Sequence, residues 1–377
     1  MGLKGRRKFV KYGFFALITL ALIFGSLIVA DVIRFKKLGE VFFVNFSLNG
    51  SNLKFGSFYA NSRYLAVKVR DAIGIKPQSI FIYDTESESW VKLEGQKNHS
   101  MGISFSRLDE NIFYLSTGKV EPEKKLINKI YKCDLMKNNC SLVFSKDNPS
   151  HSFIDFPDGR LLFVSSPPQS GGEEQPFRYK EWDFYLRFPD GKIKQLTDLE
   201  LYQLGSVNLT VHHGLFIDVY GDRKMDYSVG KDNAGVYRLE FDNRRNEIII
   251  GDSLKKPFIT YDEGFIRSAW PSILPESHFL GFMSRSSSNS RIEREFTWQS
   301  IIVHDLESGK NIDIFTFEED GKLSAPKMKD NENLAFMITD DDKAVFYRRN
   351  FISKTNSLIV SVGTKDIDKL QMKEISY

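Results

Sequence analysis

The chain has 377 residues, 41% hydrophobic and 14% aromatic, with a formal net charge of +3. Part of that excess sits in the first eleven residues, so the body is near neutral and lacks the clustered basic face that nucleic-acid binding needs. Only two cysteines are present, with no histidine or further cysteine at ligand spacing beside them, which argues against a zinc site.

Tyr12 to Ala30 is an uncharged apolar run carried by Phe14, Phe15, Leu17, Ile18, Leu20, Leu22, Ile23, Phe24, Leu27, Ile28 and Val29. About 20 such residues cross a bilayer as a helix. Lys4, Arg6, Arg7, Lys8 and Lys11 precede it with no acid between them, a bias that keeps the N-terminus in the cytoplasm. A cleaved signal peptide is the competing reading, but its apolar region is usually shorter. Ile28-Val29-Ala30 also lacks a small residue at its first position. The expected division is a cytoplasmic basic segment 1–11, a transmembrane signal anchor 12–30, a linker 31–39 and an exported body 40–377. The anchor makes membrane lipid one partner. It implies a single-pass protein of the inner membrane with its body in the periplasm.

The body repeats one phrase, a polar turn followed by an apolar strand. Copies are Asn61–Val67, Asp109–Leu115, Asp158–Val164, His212–Ile217, Glu276–Phe282 and Asn331–Met337. Their spacing of roughly 50 to 65 residues is near the period of a four-stranded propeller blade. Around each copy, short β-branched and aromatic runs bounded by turn residues read as four strands. The first blade reads Phe55–Tyr59, Arg63–Val69, Ser79–Asp84 and Trp90–Leu93. The fourth ends in Glu247–Ile250, and the sixth, whose pattern is weakest, starts at Ala325–Met328. The class is therefore all-β, a six-bladed propeller after one N-terminal transmembrane helix.

Val41 to Leu48 is apolar and unassigned, suited to pair with the last blade and close the ring. Gly56, Ser57, Gly102, Ser104, Ser152, Gly205 and Ser206 place small residues on inner strands, where bulky ones would clash; large aromatics are expected on outer strands and between blades. Insertions at 121–128, 167–179, 222–233 and 284–295 each follow a second strand, so they belong to one face of the disc. Cys133 and Cys140 flank a hairpin loop. If Leu135 pairs with Asn138 they face each other, and an exported compartment permits a disulfide; two free thiols are the alternative.

Phe156-Pro157-Asp158-Gly159-Arg160-Leu161-Leu162-Phe163 resembles the Pro-Asp-Gly repeat of TolB-type six-bladed propellers. Trp182–Phe188 followed by Pro189-Asp190-Gly191 and Lys192–Thr197 is similar to the strand-turn-strand of the same repeats. The resemblance implies a periplasmic interaction scaffold. Related propellers also cap prolyl-oligopeptidase-like hydrolases, but this sequence carries no Gly-x-Ser-x-Gly elbow.

Chemistry-bearing residues are few. His99 and His151 start adjacent inner strands and are expected at one end of the channel, where Asp155 would supply an oxygen to a metal; solvated turn histidines are the plainer reading. His212 and His213 read as turn residues. The acidic runs 318–320 and 340–342 lack the alternation of a calcium loop, and Arg244-Arg245 and Arg348-Arg349 read as surface pairs. No catalytic or cofactor-binding residue is assigned, and no cofactor is called for. The reading is a membrane-tethered, non-enzymatic propeller that binds a protein partner of the bacterial envelope. The alternative is a lactonase- or cyclotransferase-like hydrolase or lyase with a metal or acid in the channel.

Overall fold

The computed structural model describes residues 32–37, 40–45, 53–71, 78–95, 99–120, 126–166, 182–199, 204–219, 235–244, 247–251, 258, 267–287, 296–317, 322–340, 343–375 and 377. The chain forms the six-bladed β-propeller that the resemblance implied. Ahead of the blades, β1 (Val32–Lys37) and β2 (Glu40–Asn45) make an antiparallel hairpin.

Blade one contains β3 (Leu53–Ala60), β4 (Tyr64–Asp71), β5 (Ser79–Asp84) and β6 (Ser89–Glu94). Blade two contains β7 (His99–Phe105), β8 (Ile112–Val120), β9 (Leu126–Asp134) and β10 (Asn139–Lys146). Blade three contains β11 (Ser150–Asp155), β12 (Leu161–Ser165), β13 (Asp183–Arg187) and β14 (Ile193–Gln195). In blade four, β15 (Leu204–Thr210), β16 (Gly214–Val219) and β17 (Gly235–Leu239) form a three-stranded sheet, and β18 (Phe241–Arg244) pairs with β19 (Glu247–Ile250) apart from it. Blade five contains β20 (Arg267–Ser272), β21 (Phe279–Ser287), β22 (Phe296–Asp305) and β23 (Lys310–Phe317). Blade six has an interrupted inner strand, β24 (Lys322–Leu323) and β25 (Lys327–Met328), then β26 (Asn333–Thr339), β27 (Lys343–Asn350) and β28 (Thr355–Gly363). A short 3₁₀ turn, Ile367–Lys369, leads into β29 (Met372–Ile375).

Closure differs from the expectation. The ring is not sealed by 41–48 joining the last blade, because β2 pairs with β1, which falls wholly in the expected linker. Instead β29 lies parallel to β6 and makes blade one five-stranded. Ile375 enters the core between blades one and two, and the Tyr377 ring meets Tyr131 of β9 at 5.4 Å. The C-terminal segment thus runs from blade six across blade one to blade two. Blade four also departs from the sequence reading, since Glu247–Ile250 pairs with β18 rather than with the third strand.

The turns are set by local chemistry. Gly159 and Gly191 hold φ of +83° and +91°, which glycine adopts without Cβ strain, and each N–H reaches back three residues, to Phe156 and Phe188. Asn61, Asp84, Asp134 and Asn350 accept backbone N–H groups two or three residues on, so the turns begin with side-chain acceptors. Of the largest fully buried aromatics, Phe113, Phe163, Phe184, Phe216, Phe336 and Phe346 stand on second and third strands, where both blade faces are covered, rather than on outer strands, and Phe351 lies in the turn after β27. Arg349 is also no surface residue: it is buried on β27 and forks onto Asp313 of β23, with Nη2 to Oδ1 at 2.8 Å, tying blades five and six. Cys133 opposes Cys140 in the β9–β10 ladder, and the two are joined as a disulfide.

No helix among the described residues is long and apolar enough to cross a membrane; the expected span at 12–30 lies outside them. Most of 121–128, 167–179, 222–233 and 318–320 also lie outside, while 126–128 and 284–287 belong to β9 and β21.

Candidate binding site in the central channel

The inner strands are irregular where they face the axis. Pairing with the second strand slips between Phe55 and Phe58, His151 and Ile154, Leu204 and Val207, and Ala269 and Ser272. In blade six the break falls at Ser324-Ala325-Pro326, where proline has no N–H to give. Ser152 and Trp270 both take φ of +56°, in the left-handed region that larger residues rarely enter. Such bulges release backbone groups from their own sheet, and buried backbone groups need partners.

Neighbouring blades supply those partners. The Tyr59 hydroxyl bonds the Ile103 backbone, and Ser104 Oγ accepts from the Phe153 N–H at 3.2 Å. Ser152 Oγ donates to the Gly205 carbonyl, Asn208 Nδ2 to the Pro271 carbonyl at 2.7 Å, and Ser272 Oγ accepts from the Met328 N–H at 2.9 Å. Five consecutive junctions, from blades one–two to blades five–six, are stitched this way around the channel.

Inside this ring lies a cavity of about 1040 Å³. Arg70, Arg107, Lys322 and Lys327 line it, against Asp109 and Glu110. Those two acids stand on the turn after β7, at the mouth where inner strands end. Burial lowers the Lys327 amine to about 8, opposed by the charge of Asp218. Burial likewise lowers Arg107, while Asp155 and Glu276 favour its charged form. The Arg107 Nε is buried without a hydrogen-bond partner among the described residues. Lys68, held down to about 8 by burial and by Arg70, donates its Nζ to the Met101 carbonyl at 2.7 Å.

Of the candidates read from sequence, His151 and Asp155 are not brought together as a metal pair. His151 stands near the start of β11 and Asp155 ends it, with the bulge at Ser152 between them. Burial lowers His151 to about 4, leaving it neutral, with its Nδ1 2.9 Å from Ser152 Oγ and its ring 4.8 Å from that of Trp182. Both carboxylate oxygens of Asp155 have donors: Ser106 Oγ on one, the Arg107 N–H at 3.0 Å on the other, with Tyr114 also bonded to it. His99 starts β7 at the same end as His151, but its side chain lies outside what is described. No group of three or more metal-ligating side chains occurs among the described residues. His212 and His213 sit in the turn between β15 and β16. The sequence reading missed Arg107 and Lys327; the available signal was a long cation after small inner-strand residues, Gly102, Ser104 and Ser106 in one blade and Ser324 and Ala325 in another.

No family model and no curated protein matches this sequence. Among solved structures, an oligogalacturonate lyase in complex with manganese is 12% identical with a TM-score of 0.47, covering 86% of this chain and 83% of its own. An oligogalacturonate lyase from Vibrio parahaemolyticus is 13% identical with a TM-score of 0.46, covering 87% and 84%. The β-propeller domain of a trilobed protease from Pyrococcus furiosus is 10% identical with a TM-score of 0.39, covering 81% and 82%. At these values no residue role transfers to this chain.

Proposed function

We propose that this chain is a binding propeller, tethered through residues 12–30 with its body in the periplasm, that holds a protein of the bacterial envelope at the channel mouth formed by the inner-strand turns. The observation that carries the reading is the make-up of that mouth. Leu108 and Val211 project from its turns, 54% and 57% exposed, beside Pro275, whose carbonyl accepts the Val211 N–H at 2.9 Å. Asp109 and Glu110 follow Leu108 in its turn and Glu276 follows Pro275, so acidic residues flank the apolar ones in the chain. Turn residues carried by a closed disc are pre-organised, which lowers the ordering cost of association. Two acids outside the cavity lining serve the architecture: Asp155 ties blade two to blade three, and Asp84 holds Arg63 through two hydrogen bonds of 2.8 and 2.6 Å.

The test is photo-crosslinking of the full chain in its native membrane, with the reactive side chain at Leu108 or Val211 and a control at Ile193 on the rim. A discrete protein captured from the two mouth positions and not from the rim is the expected result. Capture of nothing, together with metal-dependent turnover of a small ester, would replace this reading with the propeller-enzyme one.

A further inference from the structure

We propose that the central channel is also a binding site for a small multivalent oxyanion, a carboxylate- or phosphate-bearing molecule seated between Lys327 and Arg107. This goes beyond the protein partner above and uses the interior of the ring rather than the apolar residues of its mouth. The two cations come from opposite parts of the chain, Lys327 from β25 of blade six and Arg107 from the turn after β7 of blade two. Both line the same cavity of about 1040 Å³, the upper end of the range for small-molecule sites. Neither has a carboxylate salt-bridge partner among the described residues. Asp218 acts on Lys327 only at a distance, and its Oδ2 accepts the Trp270 N–H at 3.1 Å. Asp155 lies near Arg107 but receives the Arg107 backbone N–H, not its guanidinium.

A half-buried cation with no carboxylate in contact is less well solvated than in water, and an anion that enters the channel relieves it. Arg107 offers a planar fork suited to two oxygens, and its buried Nε has no hydrogen-bond partner among the described residues. Lys327 offers a compact charge with rotatable donors. Between them the lining is hydroxyl-rich, with Ser104, Ser152, Ser206 and Ser324 on inner strands, so polar atoms of a ligand meet polar walls. The other charged groups facing the cavity are Arg70 and Lys322, which add to the positive field, and Asp109 and Glu110 at the mouth; His151 is neutral. The charged lining is thus four cations against two acids, a net positive field that favours a small anion.

Calorimetric titration of the purified full chain with citrate and, separately, with pyrophosphate at low ionic strength tests this. The expected result is one site per chain for at least one probe, and the probe preferred identifies the carboxylate or phosphate source. Lys327→Met and Arg107→Gln each weaken binding tenfold or more, while Lys194→Met on the exposed outer strand of blade three leaves it unchanged. Binding by the parent weakens as pH rises from 7 to 9.5, because the Lys327 ammonium deprotonates near 8. Lys327→Arg keeps its charge and retains binding at pH 9.5. Should Lys327→Met fail to fold, the Lys327→Arg profile still decides. Absence of binding by either probe, equal weakening by Lys194→Met, or a Lys327→Arg profile identical to the parent would overturn the proposal. None of these results bears on partner capture at the mouth, which is read in the native membrane.

Discussion

The junction between blades two and three and the seam between blades six and one hold the same ring by different means. At the first, the chain itself connects the blades, and the tie is polar. Asp155 receives Ser106, the Arg107 N–H and Tyr114, Ser116 Oγ reaches the Ser150 carbonyl at 2.8 Å, and only six buried apolar residues fill the core there. At the seam, thirteen buried residues form the core, among them Phe58, Trp90 and Phe346, with ring centroids 5.8 and 6.5 Å from Phe346. The seam joins sequence positions nearly three hundred residues apart, so its closure carries a larger chain-entropy cost. Apolar burial and a parallel strand, β29 on β6, offset that cost. Directional bonds position blades already adjacent in the chain; apolar area supplies the energy where the ends must meet.

The comparison breaks most sharply at Phe346. Replacing it with alanine leaves a cavity against Phe58 and Trp90 and is expected to cost about 3–5 kcal/mol in denaturant unfolding. Asp155→Ala leaves three donors at the other junction without their acceptor and is expected to cost about 2–3 kcal/mol, with Asp155→Asn milder because one acceptor oxygen remains. The smallest effect concerns Asp84. The Arg63 guanidinium, with help from the Glu86 N–H and Ser87, holds its carboxyl well below the ordinary carboxylate range. A depressed folded-state value means the stabilisation is complete above the ordinary range near pH 4 and is lost as pH falls further. Asp84→Asn is therefore expected to flatten the acid side of the stability–pH curve by about 1 kcal/mol, since Arg63 is partly exposed and solvent screens the pair. An equal acid slope in variant and parent would place the sensitivity elsewhere.

Blades one to three were legible because their turn chemistry and strand composition agree: in blade three the Pro-Asp-Gly turns at 157–159 and 189–191 mark strand ends directly, and in blades one and two Asn61 and Asp109 open the turns before the second strands. Blade six was harder to read, since Pro326 splits its inner strand and β27 and β28 run longer than their apolar cores. The closing strand was not legible. Met372-Lys373-Glu374-Ile375 is short and half charged, and only its position beside β6 makes it a strand. Apolar 41–48 looked a better candidate on pattern alone. The site was missed for a related reason. His99, His151 and Asp155 drew attention by residue type, yet channel geometry depends on strand ends, which put His151 and Asp155 at opposite ends of β11. Arg349 shows the same limit, because an arginine pair in sequence carries no sign of which member will meet a buried Asp313.

Closure of the ring by the C-terminal strand is the claim on which both the cavity and its mouth depend. Hydrogen exchange of the full chain, followed by mass spectrometry of peptides covering 371–377 and 89–94, tests it most directly. The account predicts that both peptides are protected and lose protection together on titration with denaturant. Immediate exchange of 371–377 while 89–94 stays protected would contradict it.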